Sequence, residues 1–352
     1  MIDQIKKIAE QLNGRTLDEA LLYYENCKGC PKYRITYCER DRGCDKEQLF
    51  IARLARGYCK ARWGVSSKNS IAYRYFETTD LIKDSYKLIP YVPIDTDVIA
   101  GGARSGLFPA TVLSTVLHRP LLSVGKTEVV EAGGGWRIKA KPPSSYKKIF
   151  LAEDTVYSGR SISINIEVLK KTFPEAQILT GVVYVHPKSL DKVDHYVLSL
   201  PGRHYLEWNF FNSIAISRCV FDFDGILCEE IPSKDDDDGE RYTKALQNAI
   251  PKHYVRREPI PVIATARLEK YREITEAWLA KHGMSCKKLV MGPWASNQER
   301  AIPGEIAKFK AGVYSSYSYT LFVESNPKQA AEIADLTGKE VLCPYLKRVL
   351  VK

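Results

Sequence analysis

Two adjacent carboxylates follow a short apolar run in the stretch KKIFLAEDTVYSGRSI, residues 147–162. The run, residues 149–152, is typical of a central strand in a parallel sheet. Glu153 and Asp154 come next, and a turn rich in hydroxyls and backbone N–H groups follows them. Carboxylates accept hydrogen bonds from sugar hydroxyls, and turn amides that precede a helix bind anions. The pattern therefore predicts a site for a phosphorylated sugar; the alternative is an acidic surface turn.

A second strand and turn with anion-binding features lies upstream, in DVIAGGARSGLFPATVLSTVL. Residues 98–100 predict a buried strand, and residues 107–117 predict a helix. Between them, the glycines of residues 101–106 let the backbone approach a ligand closely, and the guanidinium of Arg104 suits a phosphate. Two strand–turn–helix units of this kind predict a ligand that carries phosphate at both ends.

These two motifs resemble those of the type I phosphoribosyltransferases, over residues 91–213. LAEDTVYSGRS is similar to that family's signature for phosphoribosyl pyrophosphate (PRPP), and GGARSG is similar to its pyrophosphate loop. The resemblance implies a doubly wound α/β domain that moves a phosphoribosyl group from PRPP to a nitrogenous acceptor, with Mg²⁺ bridging ribose and pyrophosphate oxygens. It also implies that Glu153 and Asp154 bind the ribose hydroxyls. The 5'-phosphate would be bound by Thr155, Val156, Tyr157, Ser158 and Gly159, and the pyrophosphate by Gly102, Ala103, Arg104 and Ser105.

One position departs from the purine-salvage members of that family, which carry an acid where this chain has Tyr157. A phenol, with a pKa of about 10, is a poor general base at neutral pH, so ordinary purine salvage is disfavoured. The resemblance places the acceptor under a variable hood, for which residues 204–213 are the candidate. Trp208, Phe210 or Phe211 would stack there on a planar base. The alternative is that these aromatic side chains pack a domain junction.

A second set of acidic and basic residues begins in RCVFDFDGILCEE, residues 218–230. Residues 219–221 predict a strand, and Asp222 and Asp224 stand two apart at its end. Two carboxylates at this spacing suit a nucleophile and a general acid/base beside a metal. Further polar residues follow on separate predicted elements. Thr265 ends a predicted strand, Lys308 and Lys310 lie on a predicted helix, and Glu324 ends another predicted strand.

This order resembles that of phosphatases of the haloacid dehalogenase superfamily, over residues 217–343. The resemblance implies a second doubly wound α/β domain that hydrolyses a phosphomonoester through an aspartyl-phosphate. It implies that Asp222 is the nucleophile and Asp224 the general acid/base. The hydroxyl of Thr265 would bind the phosphoryl group, and Lys310, preferred to Lys308, would be the neutralising cation. Mg²⁺ would be held by Asp222, the backbone carbonyl of Asp224 and Glu324. Ser325 and Asn326 replace the family's second acid there, so a domain that binds phosphate without catalysis is the alternative.

The first part of the chain contains several cysteines. Cys27 and Cys30 form a C-x2-C pair, and Cys38 and Cys44 complete a set of four thiolates. Tetrahedral zinc is the leading interpretation of this spacing, an iron–sulfur cluster uses the same ligands, and packed free thiols are the remaining alternative. Residues 48–76 contain no acid and several arginines and lysines, which suits contact with an anion or nucleic acid, or a solvated helix face.

Length and composition indicate several domains and suit anionic partners. A chain of 352 residues predicts more than one domain, here a cysteine-rich and mainly helical extension (1–90), a phosphoribosyltransferase-like domain (91–213) and a phosphatase-like domain (214–352). The net charge of +10 suits anionic substrates and, less favoured, nucleic acid. The run Asp235–Asp238 predicts a solvated loop. With no apolar span and no signal-peptide core, we expect a cytoplasmic protein without a membrane partner, either monomeric or oligomeric.

Two hypotheses of different classes follow. The first is a bifunctional nucleotide enzyme that transfers a phosphoribosyl group to a base or related acceptor and hydrolyses a phosphomonoester. The second is a binding protein that senses PRPP or a nucleotide and contacts nucleic acid through its cysteine-rich front. The complete set of phosphatase residues favours the enzyme, because a sensor has no need of a nucleophile, an acid and a lysine in register.

Overall fold

The structure is a computed structural model that describes residues 73–133, 138 and 142–351. The four cysteines of the predicted metal site therefore lie outside the described residues. Contacts between residues divide the described chain into two compact units. The first unit is Phe76–Pro201, and the second unit contains residues 73–75 and 202–351. Residues 202–213, which the sequence assigns to the phosphoribosyltransferase-like domain, group with the second unit.

Strands and helices alternate along most of the described chain, as expected of an α/β protein. The strands are β1 (Tyr73–Phe76), β2 (Val98–Gly102), β3 (Leu121–Val124), β4 (Val129–Gly133), β5 (Lys148–Val156), β6 (Gln177–Val185), β7 (His195–Ser199), β8 (Arg203–Leu206), β9 (Cys219–Phe221), β10 (Val262–Leu268), β11 (Leu289–Gly292), β12 (Leu321–Val323), β13 (Glu340–Cys343) and β14 (Arg348–Leu350). The α-helices are α1 (Thr78–Ser85), α2 (Leu107–Leu117), α3 (Arg160–Thr172), α4 (Glu207–Phe210), α5 (Glu240–Gln247), α6 (Arg272–Lys281), α7 (Asn297–Arg300), α8 (Glu305–Ser315) and α9 (Pro327–Thr337).

The first unit is built on a sheet with the strand order β4-β3-β2-β5-β6-β7. Neighbouring strands are parallel except for β4, which runs antiparallel to β3. Strand β5 is central, with β2 on one side and β6 on the other. The carboxyl ends of β2, β5 and β6 therefore meet at one edge of the sheet, which is where ligands bind in open α/β sheets.

Helices cover both faces of this sheet. Leu151 of β5 packs in a cluster with Ile162 and Leu169 of α3. Phe150 precedes it and pairs with Ile99 of β2, and both must face the opposite side because side chains alternate along a strand. Helix α2 packs on β2 and β5. The first unit is thus a doubly wound α/β domain, which confirms the α/β prediction for this part of the chain.

The second unit has a sheet with the strand order β11-β10-β9-β12-β13-β14-β1-β8. Strands β11, β10, β9, β12 and β13 are parallel, while β14 is antiparallel to β13 and to β1. Strand β9, which precedes the aspartates, lies between β10 and β12. Its neighbour β10 contains Thr265 and its neighbour β12 directly precedes Glu324, so the sheet brings these segments together at one edge.

Apolar side chains of β9 alternate between two cores. Val220 packs in a cluster with Ala311 of α8, whereas Phe221 packs in a different cluster with Trp278 of α6. Helices on both faces confirm a second parallel-dominated α/β sheet. In the part of the chain that the structure describes, no helix is both long enough and apolar enough to cross a bilayer.

Candidate functional site

The acidic pair lies within β5, because this strand does not end at Ala152 as the sequence suggests. The ladder with β6 continues through Glu153, which pairs with Val182, to Val156. Glu153 and Asp154 are 7% and 4% exposed. The sheet therefore holds both carboxyl groups at the edge where the carboxyl ends of β2, β5 and β6 meet.

The turn after β2 lies directly against Glu153. A Cβ atom at Gly102 would overlap Glu153 Oε1, and one at Gly106 would overlap Oε2. Only glycine fits at these two positions without displacing the carboxylate. Within the turn Arg104 is exposed, and the Ala103–Arg104 peptide is cis. The structure thus brings together the glycine turn and the acidic pair, which the sequence predicted separately.

Asn165 of α3 also contacts Glu153, and sequence reasoning missed it. Its Nδ2 donates a hydrogen bond of 2.5 Å to Glu153 Oε1. Burial, followed by the neighbouring charge of Asp154, raises the pKa of Glu153 to about 7, although the Asn165 bond opposes this rise. The available signal was an asparagine three residues after Ile162, on the same inward face of an amphipathic helix.

The turn between β5 and α3 has the shape of an anion site. Gly159, with a φ of 78°, is the N-cap of α3 and has no side chain to accept a bond from the first helical amides. Lys192 Nζ donates to the backbone oxygen of Ser158 at 2.7 Å. The side chain of Val156 is buried, so this residue offers only its backbone, whereas the ring of Tyr157 is exposed.

In the second unit, a buried lysine bridges two carboxylates. Lys310 Nζ lies 2.9 Å from Asp222 Oδ2 and 2.7 Å from Glu324 Oε2, and it donates to Gln329 Oε1 at 2.9 Å. Lys308 is instead exposed and pairs with Glu305 of its own helix. The structure therefore places Lys310, the lysine preferred from the sequence, beside Asp222.

Burial dominates the electrostatics of this cluster. It raises the pKa of Asp222 well above its usual value, and the nearby charge of Glu324 adds to the effect while Lys310 opposes it. Burial would lower the pKa of Lys310, but the two carboxylates outweigh it and raise that pKa. One ammonium thus faces two carboxylates, and Lys310 stays charged at all ordinary pH values.

Asp224 is held by a fully buried arginine that the sequence analysis did not identify. Arg267 donates to Asp224 through Nη2 at 2.7 Å and through Nε at 3.0 Å, and its guanidinium lies 3.9 Å above the centre of the Phe223 ring. Although burial opposes it, Arg267 lowers the pKa of Asp224. A carboxylate in this bond is a poor proton donor at neutral pH, so the arrangement favours a charged Asp224.

Thr265 is fully buried and lies inside β10, which continues to Leu268. Its Oγ1 accepts a hydrogen bond of 3.2 Å from the backbone N–H of Arg267. The sequence predicted a strand ending at Thr265; the pairing of β10 with β11 shifts register between Ala264 and Leu268 and extends the strand past it. Thr265 and the arginine that holds Asp224 therefore share one irregular strand end.

The predicted magnesium ligands Asp222 and Glu324 share a contact with the ammonium of Lys310. Their oxygen atoms suit Mg²⁺ chemically. Yet Lys310 occupies the space between Asp222 and Glu324, and Ser325 Oγ donates to the backbone oxygen of Asp224 at 3.1 Å. Within residues 73–133, 138 and 142–351, no three histidine, cysteine or acidic side chains are arranged to hold a metal ion. The predicted set has only two such side chains and one backbone oxygen, so magnesium binding by Asp222, Asp224 and Glu324 stays a prediction.

The acidic run Asp235–Asp238 was predicted as a solvated loop, and none of its residues is buried, but three of its carboxylates also have partners within the chain. Asp236 pairs with Arg300, and Asp238 pairs with Lys270 at 2.8 Å. Asp237 Oδ1 accepts bonds from two backbone N–H groups at the start of α5, each at 3.0 Å. Cations from distant parts of the chain thus anchor this loop, and a local reading of the run does not show them.

Two of the three aromatic residues predicted for the acceptor hood lie in a core. Phe210 and Phe211 are 3% and 4% exposed and belong to a hydrophobic cluster of the second unit. Phe211 stacks on His253, with 3.8 Å between ring centroids. Their packing excludes them from stacking on a ligand, while Trp208, on the short helix α4, is half-buried and its acceptor role stays a prediction.

No family model matches the sequence, and a search of curated proteins found no match. Among solved structures, the purine phosphoribosyltransferase of Pyrococcus horikoshii Ot3 is 25% identical, over 41% of this chain and 98% of that one, with a TM-score of 0.31. The xanthine-guanine-hypoxanthine phosphoribosyltransferase of Helicobacter pylori is 15% identical, over 39% of this chain and 93% of that one, with a TM-score of 0.32. The orotate phosphoribosyltransferase of Aeropyrum pernix is 19% identical, over 34% of this chain and 70% of that one, with a TM-score of 0.28.

At these TM-scores the likeness assigns no function, although all three proteins are phosphoribosyltransferases. Each of the three matches covers at most 41% of this chain and therefore leaves more than half of it uncovered. The function must therefore be argued from two clusters of residues, one around Glu153 in the first unit and one around Asp222 in the second.

The raised pKa of Glu153 predicts a pH-dependent stability of the first unit. The folded value of about 7 exceeds the ordinary 4.5, so Glu153 contributes stability that is present below pH 4.5 and lost as the pH rises through 7. This loss amounts to about 3 kcal/mol. Glu153→Gln should abolish it, as measured by chemical denaturation at pH 5 and pH 8. Glu167→Gln, on the exposed side of α3, is the control; equal pH dependence in wild type and Glu153→Gln would contradict the assignment.

The lysine bridge predicts a large difference between two neighbouring lysines. Lys310→Met leaves two buried carboxylates without their ammonium, so it should lower the free energy of unfolding of the second unit by about 3–5 kcal/mol. Lys308→Met removes an exposed charge and should leave the denaturation midpoint unchanged. Guanidinium denaturation of both variants tests this, and coincident midpoints would show that the bridge adds nothing.

Proposed function

We propose that the first unit binds PRPP and transfers its phosphoribosyl group to a nitrogenous acceptor. One observation carries this proposal: the carboxylate of Glu153 lies directly against the glycine turn at Gly102 and Gly106. That contact places the Glu153 carboxylate, which can bind hydroxyls, next to the backbone of the glycine turn, which can bind phosphate. The open start of α3, after Gly159, adds a second anion site at the same edge of the sheet.

The three parts of PRPP match the three parts of this edge. Glu153 and Asp154 would accept hydrogen bonds from the ribose hydroxyls, because both carboxyl groups lie at the end of the central strand. Residues 155–159 would bind the 5'-phosphate through their backbone N–H groups and through the hydroxyls of Thr155 and Ser158, with the ring of Tyr157 pointing away from it. Residues 102–105 would bind the pyrophosphate, with the exposed guanidinium of Arg104 as its charged partner. Magnesium would arrive with PRPP, as part of the substrate.

In this proposal the chain contributes position and charge more than covalent chemistry. Substrate held at three points has its C1 atom fixed relative to an incoming nucleophile. Arg104 and the turn amides would stabilise the negative charge that collects on the departing pyrophosphate. These are the contributions that a sheet edge with two anion sites can make.

A second activity, hydrolysis of a phosphomonoester by the second unit, is favoured by the contact between Asp222 and Lys310. The Asp222 carboxylate would form a bond to phosphorus while the bond from phosphorus to the alcohol oxygen breaks, and that oxygen would take a proton from water. A second water would then give up a proton to Asp224, attack phosphorus and release the phosphate from the aspartyl-phosphate. The lysine would neutralise charge on the nucleophile and on the phosphoryl group. The bond from Arg267 favours Asp224 as the base of the second step over its role as acid in the first.

The alternative is a protein that senses PRPP or a nucleotide, with a cysteine-rich region that binds nucleic acid. Its zinc or iron–sulfur site at Cys27, Cys30, Cys38 and Cys44 lies outside the described residues and stays a prediction. The same PRPP cradle serves both functions. Turnover separates them, because a sensor binds PRPP without releasing pyrophosphate in the presence of an acceptor.

Calorimetry with magnesium and PRPP tests the first proposal. The double variant Glu153→Gln with Asp154→Asn should weaken binding by at least about 10-fold for each carboxylate lost, since hydrogen bonds to charged groups contribute about 1.5–3 kcal/mol each. Glu167→Gln should bind PRPP as the wild type does. An unchanged Kd in the double variant would refute the assignment of the ribose site.

Release of phosphate from a panel of phosphomonoesters tests the second. Asp222→Asn should lower the rate at least about 1000-fold, because it removes the nucleophile while keeping the shape of the side chain. Asp335→Asn, on the exposed side of α9, is the control. Wild-type hydrolysis by Asp222→Asn would remove this chemistry from the cluster, and a wild type inactive on every ester would favour the phosphate-binding alternative.

A further inference from the structure

An exposed aromatic pair stands beside the proposed phosphate turn. Tyr157 is 65% exposed, and its ring centroid lies 4.6 Å from that of His186, with 55° between the ring planes. Ser189 Oγ donates a bond of 2.9 Å to the backbone oxygen of Tyr157 and so fixes the position of the residue. The pair is therefore held in place while the face of the phenol remains open.

The hydrogen bonds of His186 define its tautomer. The backbone N–H of Lys188 donates to His186 Nδ1 at 3.2 Å, so the neutral ring carries its proton on Nε2. Burial, followed by the nearby charge of Lys188, lowers the pKa of His186. At neutral pH His186 is therefore an uncharged imidazole with one N–H donor.

The order of the strands places this pair on the side from which an acceptor must approach. The pyrophosphate turn follows β2, on one side of β5, whereas His186 follows β6, on the other side. The acidic pair that would hold the ribose lies on β5, between them. In a displacement at the ribose C1 atom, the attacking group enters opposite the leaving pyrophosphate. It therefore enters on the β6 side, where Tyr157 and His186 lie.

We propose that Tyr157 and His186 bind the acceptor, and that the acceptor is a pyridine-type ring whose attacking nitrogen carries no proton. This inference rests on the proposed phosphoribosyl transfer and names its acceptor class. The nitrogen lone pair forms the bond to C1, the bond from C1 to the pyrophosphate oxygen breaks, and its electron pair leaves with the pyrophosphate. No proton moves, and the ring becomes a cation.

Both members of the pair suit that reaction. An acceptor whose ring nitrogen carries a proton needs a base, and neither a phenol nor an imidazole whose Nδ1 is occupied by Lys188 N–H supplies one at neutral pH. A ring that becomes positive is attracted to the face of Tyr157, while an uncharged His186 does not repel it. The Nε2–H of His186 can donate to a carbonyl or carboxylate oxygen on the ring.

Pyrophosphate release from magnesium–PRPP tests the acceptor class. Nicotinamide, nicotinate and quinolinate represent pyridine rings; adenine, hypoxanthine, uracil and orotate represent rings that must lose a proton. We expect release with at least one pyridine and at least about 10-fold lower kcat/KM with every other ring, a factor that corresponds to one lost charge-assisted contact. Release with the second set alone, or with neither set, overturns the proposal.

Variants of the pair test the residues. Tyr157→Ala should raise the KM for the pyridine acceptor at least about 10-fold, since stacking on an aromatic ring contributes about 1–3 kcal/mol. Tyr157→Phe, which keeps the ring, should stay within about threefold of wild type, as should Tyr196→Ala, an exposed tyrosine on β7. Calorimetric binding of PRPP should be the same in all of them.

The outcomes separate this inference from the proposed function. A wild type that does not bind PRPP refutes the phosphoribosyl site itself. A wild type that binds PRPP, combined with an unchanged acceptor KM in Tyr157→Ala, refutes the acceptor site alone. Loss of PRPP binding in Tyr157→Ala would assign Tyr157 to the phosphate turn and would equally overturn its role towards the acceptor.

Discussion

A carboxylate taken out of water must gain a hydrogen bond, a cation or a proton, and this constraint shapes both clusters. The carboxyl ends of parallel strands carry the buried acids, and Glu153, Asp222, Asp224 and Glu324 each have a partner from another element. In the second unit these partners are cations: Lys310 bridges Asp222 and Glu324, and Arg267 holds Asp224. Because the cations come from α8 and β10, the cluster forms only when the whole unit has folded.

The first unit meets the same constraint with a neutral amide. Asn165 donates one hydrogen bond to Glu153, whose pKa remains raised, whereas Arg267 lowers the pKa of Asp224 by supplying a positive charge. The difference follows from the partner, since an amide compensates buried charge less than a guanidinium does. A carboxylate that is only partly compensated gains the most from a ligand that brings hydroxyls or a cation, and this is what PRPP with magnesium would supply.

The sequence predicted local elements well and long-range contacts poorly. The helix at residues 107–117 and the strand at residues 219–221 have the predicted bounds, because apolar runs and turn residues define them locally. Asn165 and Arg267 were missed, since their importance depends on contacts 12 and 43 residues away. The partners of the acidic run before α5 were missed for the same reason: the counter-charge of Asp236 comes from Arg300, 64 residues downstream.

Aromatic residues show why exposure, more than residue type, decides which of them can bind a ligand. In the sequence, Phe210, Phe211 and Tyr157 are equally able to stack on a planar ring. The structure buries the two phenylalanines in the core of the second unit and leaves the tyrosine 65% exposed. Burial depends on which elements pack together, and the sequence does not specify that packing residue by residue. Once the phenylalanines are committed to a core, Tyr157 remains as an open aromatic face in the proposed phosphate turn, and this exposure is why the proposed acceptor site is built on it.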